Sequence, residues 1–192
     1  MLKIVRVSVL ALVMFVSTAA LAAEKPLFRS RVVTGKGERM VDVSVDVTGL
    51  KKIFLVVEDG GNGIANDHAD WVEPHFVVGD GIKKLTELNW RSASTGWGQT
   101  KKGKAVGGAP LTVAGKAVAY GIGTHAVSVL EYDVPAGATR FVAKGALDDE
   151  ELQSVSSVRF SVYKDRPNLV PGGGGDAAQM VPLDAFVVPD DT

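Results

Sequence analysis

The stretch MVDVSVDV, residues 40–47, alternates apolar and polar side chains from Val41 on. Successive side chains of a strand point to opposite faces, so this period of two suits a half-buried β-strand and no helix. The neighbouring KKIFLVVED, residues 51–59, carries a continuous β-branched and aromatic run between turn formers. Such a run reads as a buried strand. Shorter runs recur at residues 110–113, 127–132, 140–143 and 158–163, with Gly, Pro, Asn and Asp between them. Beyond the first two dozen residues no segment sustains a 3.6-residue apolar period. Many short strands joined by turns predict an all-β fold, a sandwich or a barrel.

The front of the chain has a different pattern. Lys3 and Arg6 precede an apolar run over residues 7–16, and small residues follow, ending in Ala20-Leu21-Ala22. That layout predicts a secretory signal peptide over residues 1–22, cleaved before Ala23. Its apolar stretch falls short of the ~20 residues that span a bilayer, although an uncleaved anchor is the other reading. Export implies a secreted, periplasmic or cell-envelope location. Cleavage leaves 19 basic side chains against 22 acidic ones, a net charge of −3. No basic stripe marks a nucleic-acid footprint. The chain has no cysteine, which excludes disulfides, zinc-thiolate sites and a cysteine nucleophile. One domain is expected over residues 23–165. A tail over residues 166–192 contains a run of four glycines and ends in a stretch that could form an edge strand.

Four stretches carry polar or aromatic groups suited to chemistry. EDGGNGIANDHADW, residues 58–71, brings Asp59, Asn62, Asp67 and Asp70 together between glycines. Hard cations such as Ca²⁺ take six to eight oxygen ligands, so these residues could form a structural calcium site. A solvated hairpin loop with Asx turns is the alternative. LNWRSASTGWGQT, residues 88–100, holds Trp90 and Trp97. Trp90, beside Leu88, is expected in the core; Trp97, between Gly96 and Gly98, either packs or presents a flat apolar face at a binding surface. GIGTHAVS, residues 121–128, reads as a tight turn that sets His125 at the head of an apolar strand. GALDDEEL, residues 145–152, holds four successive acids, which form a solvated turn unless a ligand uses them. There is no nucleophile elbow, Walker loop, zinc-protease helix or dinucleotide fingerprint.

In order, LNWRSASTGWG, GAPLTVAG, YGIGTHAVSVLEYDV, FVAKGALDDE and SSVRFSVYKD resemble the motifs of the NPCBM family of carbohydrate-binding modules. VDVTGLKKIFLVVEDGGNGIANDHADW resembles a further piece of that family. The resemblance covers roughly residues 41–165. Here the DHADW piece comes first instead of last, which reads as a circular permutation. The resemblance implies a galactose-binding-like jelly-roll β-sandwich that binds carbohydrate without catalysis, with galactose-type residues as candidate ligands. It also implies a glycosidase or envelope protein on another chain as a partner. A degenerate sandwich used for protein contacts is the rival reading. Sugars present apolar C–H faces and many hydroxyls, so they need an aromatic platform and a few polar groups. Trp97, His125 and Glu150 are expected around one shallow pocket, with Asp149 and Tyr120 beside it, because loops at one end of a sandwich converge.

Overall fold

The computed structural model describes residues 25–169. Its strands in chain order are β1 (Phe28–Thr34), β2 (Met40–Asp46), β3 (Lys52–Asp59), β4 (His68–Val78), β5 (Gly81–Lys84), β6 (Ser92–Ser94) and β7 (Lys101–Lys102). There follow β8 (Thr112–Val113), β9 (Lys116–Ala117), β10 (Gly121–His125), β11 (Ser128–Asp133), β12 (Ala138–Leu147) and β13 (Ser157–Tyr163). Among the described residues there is no α-helix, only a 3₁₀ turn over Leu85–Glu87. The predicted signal peptide and the glycine run of the tail lie outside the described residues.

The strands form an all-β sandwich. One sheet has the order β1-β13-β3-β11-β6; the other has β2-β12-β4-β10-β7, with β5 alongside β4. All pairings are antiparallel. The alternation of residues 40–47 does what its period demands. Val43, Val45 and Val47 face inward and are buried, while Asp42, Ser44 and Asp46 face water. Ile53, Leu55 and Val57 of β3 join them in the core, with Trp71, Phe141 and Phe160. The Trp71 ring meets Phe160 edge-on at 5.1 Å. Each fully buried side chain of this size contributes about 1.5–3 kcal/mol of transfer free energy. The alternate residues of β3, Phe54 and Val56, form a second cluster on the outer face with Val129 and Tyr163; Leu169 packs against it. That is why residues 51–59 carry no polar alternation.

Two strands depart from the sequence expectation. Residues 121–125 form no turn: they are β10, buried at every position and paired with β4 on one side and β7 on the other. Its glycines answer to closeness of packing. A Cβ on Gly121 would lie 2.9 Å from the Trp71 carbonyl oxygen, and one on Gly123 would lie 2.6 Å from Ala105 Cα. Likewise, the DHADW motif is not loop alone, since His68 opens the eleven-residue strand β4. Pro74 within β4 is tolerated because the β4–β12 register shifts there and Glu73 adopts a positive φ of 50°. A bulge removes the ladder bond that proline cannot make.

Candidate functional site

The site lies where β4 begins and β10 ends. His68 and His125 are register partners across these two strands. β12 flanks β4 on the other side, and the Asp148 N–H donates to the His68 carbonyl at 3.1 Å. Loops from both sheets therefore converge at this end of the sandwich. The loop after β6 carries Trp97. Thr95 Oγ1 accepts the His125 N–H at 3.0 Å, and the Gly96 N–H donates to the His125 carbonyl at 3.3 Å. A side chain at Gly96 would overlap the Ala126 carbonyl, so glycine is what lets this loop lie against β10.

Trp97 is 53% exposed, whereas Trp90 packs against the core beneath Lys102. Trp97 is thus presented at the surface, with its ring held by two imidazoles. It stacks on His68 with centroids 5.2 Å apart and lies 5.9 Å from His125. His68 and His125 meet edge-on at 5.2 Å. These rings wall an open cavity of about 440 Å³, completed by Ile64, Ala65, Asn66, Gly96 and Glu151. Small-ligand pockets span about 300–1,000 Å³. His125 Nδ1 lies 2.6 Å from the Ala126 carbonyl, which can only accept. The proton therefore sits on Nδ1, and Nε2 is a hydrogen-bond acceptor. Burial pushes the His125 pKa down, against the Ala126 hydrogen bond, so the ring is neutral at pH 7.

The acidic run works chiefly on the backbone. Asp148, fully buried, accepts from Thr112 N at 3.2 Å and Glu150 N at 2.6 Å. Asp149 accepts from Ala114 N and Gly115 N at the tip of the β8–β9 hairpin and pairs with Arg39 at 3.3 Å. Glu150 accepts from Gly107 N and Ala109 N, and its Oε2 lies 3.4 Å from His68 Nδ1. Three acids thus fix the segment between β7 and β10, each holding a different piece of it.

Of the residues expected at the pocket, the structure brings Trp97 and His125 to its wall. Glu150 stands behind His68, with its oxygens committed to backbone N–H groups. Asp149 does not reach the pocket, because its carboxylate is bound to the hairpin. Tyr120 is also elsewhere. It precedes β10 while His125 ends it, and five residue steps of about 3.3 Å separate them by about 16 Å. Tyr120 Oη instead lies near the Glu73 carbonyl and His75, beneath the Lys84 ammonium. Sequence reasoning missed His68 and Glu151 as pocket groups. His68 was hidden by the reading of DHADW as loop. Glu151 was one of four acids with no sequence sign to mark it.

Three of the four residues expected to hold calcium, Asp59, Asn62 and Asp67, are hydrogen-bonded to one another's neighbours around residues 60–63 and Ser157. Both Asp59 oxygens face the N–H groups of Gly61, Asn62 and Gly63 at 2.9–3.2 Å, an Asx-type turn. Asn62 bonds Ser157 and the Val155 carbonyl. Asp67 Oδ1 accepts from Ser157 N at 2.8 Å, while Oδ2 has no partner. Burial pushes the Asp67 carboxyl up to about 7. Asp70 sits on β4, and burial, reinforced by the adjacent Asp148, holds it well above the usual carboxylate range. Among the described residues no group of three or more His, Asp or Glu side chains is arranged to hold a metal ion.

A two-sheet sandwich with an exposed indole over a strand-end cleft is the architecture of a binding module. The chain belongs to the NPCBM/NEW2 domain family, a family of carbohydrate-binding modules, whose model matches residues 15–77 and 82–185. No curated protein and no solved structure matches the chain significantly.

Proposed function

We propose that the protein is an exported, non-catalytic carbohydrate-binding module that holds a galactose-type residue in the Trp97–His125 pocket. The observation that carries this reading is the half-exposed Trp97 ring, fixed against His68 over an open cavity. An indole held rigid at the mouth of a cavity offers a flat apolar face to the C–H side of a sugar ring. His125 Nε2 and the Asn66 and Glu151 side chains supply acceptors for sugar hydroxyls at the same cavity. Binding without hydrolysis is supported by the acids themselves. Asp148, Asp149 and Glu150 hold backbone N–H groups, and Glu151 alone of the run lines the cavity, where glycoside hydrolysis uses a pair of carboxylates.

The test is calorimetric titration of methyl galactoside into the wild type and Trp97→Ala. Loss of a stacking platform is expected to cost ~2 kcal/mol, about a thirtyfold loss of affinity. Equal affinity in the two proteins places the sugar elsewhere, and no binding by the wild type refutes the galactose-type ligand. Export is checked by N-terminal sequencing of the mature protein, which is expected to begin at Ala23.

A further inference from the structure

We propose that the pocket sorts sugars by charge: it takes a hexose that is uncharged or bears an amino group and refuses one bearing a carboxylate or sulfate, with Glu151 setting the preference. This rests on the reading of the cavity as a sugar site. No lysine or arginine lines the cavity; Glu151 is the one group there with a permanent ionic character. Its carboxylate makes no hydrogen bond or ion pair with any described residue, unlike the three acids before it. Arg39, the guanidinium serving this end of the acidic run, is engaged by Asp149 at 3.3 Å.

The imidazoles cannot substitute for a cation. His125 is held neutral by burial. His68 Nδ1 is turned toward Glu150, 3.4 Å away, and not toward the cavity's open side. Carboxylates and sulfates are recognised by charge-assisted donors, above all by paired guanidinium N–H groups. This pocket offers instead a neutral imidazole acceptor, an amide and an unpaired carboxylate. A bound uronate would lose water without gaining a counter-ion, beside a like charge. An ammonium reverses both effects, because its N–H groups can donate to the Glu151 carboxylate and the Asn66 side-chain oxygen, whose residues line the same cavity.

Among the described residues, two of the four non-glycine residues with positive φ line this cavity; Glu73 and Ala114 lie away from it. Asn66 and Glu151 adopt left-handed φ values of 62° and 57°. Both line this one cavity. Non-glycine residues persist in that region where surrounding structure holds them, and they cluster at ligand clamps. Ser156 Oγ donates to the Asn66 carbonyl at 2.7 Å and fixes one of the two.

Three probes at neutral pH and low salt test the inference: methyl galactoside, the methyl glycoside of galactosamine and that of galacturonic acid. Each is titrated into the wild type and into Glu151→Gln, an exposed and nearly isosteric change. In the wild type the uronate is expected to bind about tenfold more weakly than the neutral sugar, equivalent to about 1.4 kcal/mol. The amine is expected to bind at least as tightly as the neutral sugar. Glu151→Gln is expected to narrow both gaps, read as the affinity of each charged probe relative to the neutral sugar in the same protein, since it removes charge. A wild type that binds the uronate as well as the neutral sugar overturns the charge preference and leaves the sugar site standing. Discrimination unchanged in Glu151→Gln overturns the assignment to Glu151. If none of the three probes binds, the galactose-type reading fails, and this inference falls with it.

Discussion

Replacing Asp67 by Asn should flatten the pH dependence of stability. Asp67 is wholly buried beneath the pocket, beside His68, and one of its oxygens has no partner. Its carboxyl is pushed from 3.8 to about 7, mainly by burial. The Ser157 N–H opposes that rise and the Asp59 charge adds to it. Between pH 4 and pH 7 the folded chain keeps a proton that the unfolded chain has released. Stability therefore falls as pH rises through that window, and the loss is complete above pH 7. Each pKa unit corresponds to about 1.4 kcal/mol, so the whole window removes on the order of 4 kcal/mol. For a chain of this length that is roughly 10 °C in melting temperature. Asn keeps the oxygen that accepts from Ser157 and carries no charge at any pH. Thermal and urea melts from pH 4 to pH 8, with chelator present, should show the two proteins similar at pH 4 and Asp67→Asn more stable at pH 8. Parallel curves would refute the reasoning. Repeating the series in excess Ca²⁺ tests the calcium expectation too, because a calcium ion on Asp67 would hold it ionised and remove the wild-type decline.

Two further outcomes follow from the packing. Gly123→Ala drives a methyl group into the backbone at Lys104 and Ala105; a loss of about 1–3 kcal/mol is expected in urea unfolding, the scale of overpacking. Tyr120→Phe should leave galactoside affinity unchanged in calorimetry, because Tyr120 lies at the far end of β10, and a several-fold loss would return it to the site.

The class of fold was legible because periodicity is local. Residues 40–47 declare their faces through their own spacing and residues 51–59 their burial through an unbroken apolar run, and both became strands within a residue of the expected limits. The family motifs were legible for the same reason. Trp97 could also be singled out, since an indole between two glycines is conspicuous wherever it lies. What sequence spacing could not give was the role of a residue whose partner is remote in the chain. The glycines of β10 signal a turn when read alone; in the folded chain Gly121 makes room for the Trp71 carbonyl and Gly123 for residues 104 and 105. Proline and the preceding loop formers concealed β4, which a bulge opposite β12 makes possible. Within Asp148–Glu151 the four acids look equivalent, yet three hold backbone N–H groups contributed by residues 107–115 and the fourth faces a cavity. His68 joins His125 only through the β4–β10 register. Antiparallel pairing and loop convergence bring those groups together across dozens of residues, so the fold class belonged to the sequence and the pocket to the tertiary structure.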